Sequence, residues 1–150
     1  MKTLHLFRLA IIALLSISCT QSNSPSLTYI TSQHESRKNA PFSDAVQVGN
    51  LLFLTGQIGK DHQLGNIVEG GIEPETKQVL KNIKEVLENN GSDMDHVVKC
   101  TVILSDINDF SAMNSVYRTF FDDNKPARTT FAADLVAGAK IEIEVVAVKK

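Results

Sequence analysis

The segment Lys140–Val148, KIEIEVVAV, constrains the fold more than any other part of the chain. A period of two puts Ile141, Ile143 and Val145 on one face of a strand and Glu142 and Glu144 on the other. From Val145 onward the run is wholly apolar, which predicts a strand buried on one face at its start and on both faces later. Such a strand belongs inside a sheet with material packed over it. A chain of 150 residues can build that sheet as one domain without a disulfide or metal staple, because it buries roughly two-thirds of its unfolded surface.

The other elements follow from local pattern. Ala45–Leu54 holds two apolar runs split by Gly49-Asn50, residues that tolerate positive φ, and reads as a tight hairpin closed by Thr55-Gly56-Gln57. After a polar loop over 60–71, Glu73-Pro74-Glu75 opens a helix whose apolar face is Val79, Leu80, Ile83, Val86 and Leu87. Asn90-Gly91 marks its end. Val97–Leu104 is β-branched and predicts a central strand. Asp106 or Asn108 caps a second helix with Phe110, Met113, Tyr117 and Phe120 or Phe121 on one side, broken at 122–126. A strand is possible over 128–132. The expected architecture is α+β: a two-layer domain in which two helices cover one face of a mixed β-sheet. The other sheet face carries Val and Leu and has no third helix to cover it, so self-association is the expected cover.

The first residues stand apart. Lys2 and Arg8 precede the apolar stretch 9–15, and Ser16 and Ser18 flank Ile17 just before Cys19. This is the pattern of a signal peptide over 1–18, too short to span a bilayer as a stable helix. A small residue before Cys resembles a bacterial lipoprotein box, with Cys19 as lipidated mature N-terminus, though Ser16 stands where Leu is usual. Residues 19–27 are polar and contain Pro25, which reads as a flexible tether to a domain over 28–150. The expectation is an exported protein, periplasmic or anchored to a membrane through Cys19. Cys100 then has no intrachain partner, so no disulfide framework is expected, and it reads as a small core residue in a strand.

A net charge of −2 without any Lys/Arg-rich run argues against a nucleic-acid binder. The phosphate-loop, zinc-protease and nucleophile-elbow patterns are missing, and the histidines His5, His34, His62 and His96 are not at metal-ligand spacing. Two features carry possible chemistry. Arg128 follows Pro126 and begins an extended segment, where its planar fork could grip a carboxylate through two parallel hydrogen bonds. Glu142 and Glu144 share a strand face from which a carboxylate could activate water. A surface arginine and a solvated strand face explain the same residues, and local pattern does not choose between them.

Six blocks in one order carry a resemblance: Pro41–Val46, Leu54–Ile58, Asn108–Phe110, Asn114–Tyr117, Pro126–Arg128 and Ile141–Glu144. Together they resemble the Rid family of reactive intermediate (enamine/imine) deaminases, formerly the YjgF group, over roughly residues 28–150. The resemblance implies a chorismate-mutase-like fold, a homotrimer with active sites between subunits, and no cofactor or metal. It implies hydrolysis of 2-imino or enamine acids, such as 2-iminobutanoate, to 2-oxo acids and ammonia. By the same resemblance, Arg128 clamps the substrate carboxylate and Glu142 positions the hydrolytic water. Thr55 and Gly56 line the site, and Asn114 and Tyr117 lie near the subunit boundary. Phe42 stands where Tyr is common, and Thr130 where a pocket cysteine is common; these departures bear on substrate choice. The alternative expectation is a non-catalytic relative at the cell envelope that binds small carboxylates or partner proteins.

Overall fold

Why the last strand becomes the centre of the sheet is visible in its neighbours. The computed structural model describes residues 25–121 and 123–150; the signal peptide expected over 1–18 and Cys19 lie outside the described residues. The strands are β1 (Leu27–Ile30), β2 (Ala45–Val48), β3 (Leu51–Leu54), β4 (Gln57–Ile58), β5 (Val97–Leu104), β6 (Ala127–Ala132) and β7 (Ile141–Val148). They form one mixed sheet in the order β1-β2-β3-β7-β5-β6, with β4 also paired to β7. β5 and β6 are parallel and the remaining pairs antiparallel.

Helices α1 (Ile72–Asn89) and α2 (Phe110–Tyr117) lie on one face. From α1, Val79, Leu80, Ile83 and Leu87 are fully buried, and they meet Cys100, Val102 and Leu104 of β5 and Ile141, Ile143 and Ala147 of β7 in the same core. Each such Val, Leu or Ile contributes roughly 1.5–3 kcal/mol by leaving water. Tyr117 and Met113 are buried from α2 as the helical spacing predicts, whereas Phe110 is exposed. Two polar ties lock α1 to the sheet. Glu75 Oε2 accepts from the Lys140 backbone N–H at 2.8 Å, and Asn82 Nδ2 donates to the Lys60 carbonyl at 2.9 Å. Gly59 permits the close approach, since a Cβ there would lie 2.8 Å from the Glu75 Cβ.

Three details differ from expectation. The short strand β1 precedes the hairpin, beginning at Leu27 and pairing with β2. The second helix ends at Tyr117, before the breaker residues. Val146 and Val148 point away from the helices and are only half-buried, so a single chain does not bury the second face of β7. That open face continues through Phe53, Tyr29 and Phe131, which are 43%, 68% and 44% exposed. Among the described residues, no helix is long and apolar enough to cross a membrane.

Candidate functional site

β3 and β4 run along β7 as one interrupted strand. Phe53 pairs with Val146, but Gln57 pairs with Ile143, so four steps on one side oppose three on the other. The extra residue is a bulge at Thr55-Gly56, a device that re-aims side chains beside a site. Glu142 pairs with Ile58 and lays its carboxylate over Gly56. A Cβ at Gly56 would lie 2.8 Å from the Glu142 carboxyl carbon, so only glycine leaves room for it.

Glu142, Gly56, Thr55 and Phe42 line one cavity of about 410 Å³, with Ser36, Arg37, Lys60 and His62 on its walls. Burial pushes the Glu142 carboxyl above its ordinary value, and the Glu144 charge adds to this. Arg37 is held tightly. Its Nη2 lies 2.8 Å from Asp44 Oδ1, its Nη1 donates to Gln57 Oε1 at 2.6 Å, and the guanidinium sits 5.4 Å from the centre of the Phe42 ring. Its Nη1 also lies 3.3 Å from His62 Nε2. Burial, then the Arg37 charge, lowers the His62 imidazole to about 4. Sequence reading missed this network, because its members come from separate polar segments with no shared spacing.

Arg128 stands elsewhere. It lines a second cavity, of about 500 Å³, with Asn114, Tyr117, Arg118, Phe121, Lys125 and Pro126. Its Nη1 donates to Asn114 Oδ1 at 2.7 Å. Its guanidinium lies 4.7 Å from the Tyr117 ring centre and 5.5 Å from that of Phe110. The fork is thus oriented by an amide and two rings, and among the described residues no carboxylate pairs with it. Thr130 follows on the same face of β6, and its Oγ1 is buried without a hydrogen-bond partner. Cys100, opposite Arg128 on β5, is fully buried, and burial raises its thiol to about 11, which makes it a core group rather than a nucleophile.

Within one chain Arg128 and Glu142 do not meet. Arg128 pairs with Cys100 and Glu142 with Ile103, three positions apart along β5. An odd offset puts the two side chains on opposite faces of the sheet. Their strands flank β5, and with the three-residue offset their backbones are roughly 14 Å apart. Phe42, Thr55, Gly56 and Glu142 are brought together, and so are Arg128, Asn114 and Tyr117, but in two separate cavities. Among the described residues no group of His, Cys, Asp or Glu is placed to hold a metal ion.

Comparison with known proteins places the fold in a family. The Endoribonuclease L-PSP family matches residues 32–149. The chain belongs to that family, the Rid group. Among Rid relatives, the 2-iminobutanoate/2-iminopropanoate deaminase of Mus musculus is 44% identical over 110 residues, covering 73% of this chain and 82% of the relative. The Homo sapiens protein of the same name is 46% identical, covering 73% and 80%. The crystal structure of yeast Mmf1 superposes with a TM-score of 0.78 at 32% identity, covering 83% of this chain and 100% of that one. RidA from a Psychrobacter species gives 0.75 at 31%, covering 81% and 98%.

Proposed function

We propose that this Rid protein hydrolyses reactive 2-imino and enamine acids to 2-oxo acids and ammonia, in a homotrimer where Glu142 of one copy faces Arg128 of the next. The observation that carries the reading is the division of the site. A half-buried carboxylate with room made for it stands on one sheet face, and a preoriented guanidinium, without a carboxylate partner among the described residues, stands on the other. Arg37, the guanidinium inside the Glu142 cavity, is already matched by Asp44. In the other cavity Arg118 is exposed and donates to the Asn114 carbonyl of its own helix, whereas Arg128 is held by the Asn114 amide and two rings, which favours Arg128 as the fork for the substrate carboxylate. The apolar open face and the edge position of β6 supply a surface for a second copy. The names of the mouse and human relatives support the substrate class.

The chemistry asks little more of the protein. Arg128 grips the carboxylate by two charge-assisted hydrogen bonds and fixes the imine carbon. Glu142 accepts a proton from water as the water oxygen bonds to that carbon. Glu142 returns that proton to the nitrogen of the carbinolamine formed from the protonated imine, the C–N bond breaks with its electron pair leaving on ammonia, and the hydroxyl proton passes back to Glu142 as the carbonyl forms. A raised Glu142 carboxyl is a better base for that first proton than an ordinary one. A ribonuclease reading of the family description would need a basic track for phosphates, and the chain carries a net charge of −2.

The test is ammonia release from 2-iminobutanoate generated in situ. Arg128→Ala should lose on the order of 2–4 kcal/mol of transition-state binding, about a 30- to 1000-fold fall in kcat/KM. Equal rates for the variant and the wild type would remove Arg128 from the reaction. A wild-type rate no greater than background would end the deaminase reading. For location, the pattern at 1–19 supports export and anchoring through Cys19, with residues 19–27 as a tether to the domain. Labelled fatty acid should enter the wild type and not Cys19→Ala, and absence of label from both would refute anchoring.

A further inference from the structure

The Glu142 cavity is larger than a short aliphatic imino acid needs, and its lining carries cations as well as the carboxylate. At about 410 Å³ it holds far more than a four-carbon substrate. The Glu142 carboxylate lies over Gly56. Lys60, Arg37 and His62 line the same cavity, with Arg37 Nη1 3.3 Å from His62 Nε2. The backbone of Lys60 is pinned by its bridge to Ile67 and by Asn82, so its ammonium projects from a fixed point. Among the described residues that ammonium has no carboxylate partner.

The polar groups left over in this wall are all of one kind. Arginine only donates, so the 3.3 Å contact makes His62 Nε2 the acceptor and places the imidazole proton on Nδ1. That Nδ1 is buried and has no hydrogen-bond partner, and neither has Arg37 Nε. An uncompensated ammonium and two unpartnered N–H donors fit an acceptor and disfavour a second cation.

We propose that this wall receives the substrate's side chain and selects 2-imino acids bearing a second carboxylate, with Lys60 as the specificity-determining residue. The proposal rests on the deaminase reading for its substrate, but not for its binding preference. The α-carboxylate goes to Arg128 of the neighbouring copy, the imine carbon lies by Glu142, and the distal carboxylate reaches Lys60 beside the Arg37–His62 pair.

Two measurements on the whole protein test it. The first is calorimetric binding of the stable products 2-oxoglutarate and 2-oxobutanoate. The dicarboxylate should bind about tenfold tighter, and Lys60→Gln should bring the two within about twofold. The second is kcat/KM for the imines made in situ from glutamate and from 2-aminobutanoate. The ratio should favour the glutamate-derived imine and fall about tenfold in Lys60→Gln, further in Lys60→Glu. Equal binding of the two oxo acids, or a preference that survives both substitutions, overturns the proposal. If neither imine turns over while the Lys60-dependent binding preference stands, the deaminase reading fails and the anion-selective wall is supported.

Discussion

Gly56→Ala isolates the placement of one carboxylate. The added Cβ would lie 2.8 Å from the Glu142 carboxyl carbon and 3.1 Å from Cγ, where ordinary contacts run 3.4–4 Å. The carboxyl carbon must therefore retreat by at least about 0.6 Å, and the oxygen nearer Gly56 by more. A flexible glutamate can do this at about 0.5–1.5 kcal/mol by leaving its rotamer, so the fold survives. Gly56 does not occupy the left-handed region, so alanine adds no backbone strain there. A misplacement near 1 Å costs on the order of 100-fold in rate. The expected outcome is a 10- to 100-fold drop in kcat for 2-iminobutanoate, with a melting temperature close to wild type. A kcat within twofold of wild type, with Glu142→Gln inactive, would refute the reasoning, because Glu142 would then act from a position that Gly56 does not control.

The remaining predictions concern orientation, proton affinity and assembly. Asn114→Ala removes the 2.7 Å acceptor from Arg128, a hydrogen bond to a charged group worth about 1.5–3 kcal/mol. It should raise KM more than it lowers kcat, as steady-state kinetics would show. Because the Glu142 carboxyl is raised by burial and by Glu144, and must be ionised to accept a proton, kcat/KM should fall as pH drops through a midpoint above the ordinary value of 4.5. Glu144→Gln should move that midpoint down in a pH–rate profile. Phe53→Lys puts a charge on the exposed apolar face and should shift sedimentation toward the monomer, with activity lost in step.

The sequence made the local order legible and left the site half-assembled. Ile141, Ile143 and Val145 are buried while Glu142 and Glu144 face outward, as a two-residue period requires. The hairpin at Gly49, with φ of 59°, and the end of α1 before Gly91, with φ of 76°, follow from the same local chemistry. β1 escaped because Leu27–Ile30 is a short edge strand with two exposed apolar residues, so it shows no buried pattern. The Arg37–Asp44–Gln57–His62 network escaped because folding alone brings its segments together. The faces of Arg128 and Glu142 were illegible for a different reason. They depend on β5 lying between β6 and β7 in particular registers, a long-range fact that no spacing of 14 positions encodes.

Subunit complementation tests the divided site most directly. Arg128→Ala and Glu142→Gln, each inactive alone, are mixed at equal amounts, unfolded and refolded together. If each site takes its arginine and its glutamate from different copies, random assembly leaves about one interface in four with both groups intact. Ammonia release should then return to about a quarter of the wild-type rate. If both groups served one site within a single chain, no mixed assembly could restore either, and the refolded mixture would stay as inactive as its parents.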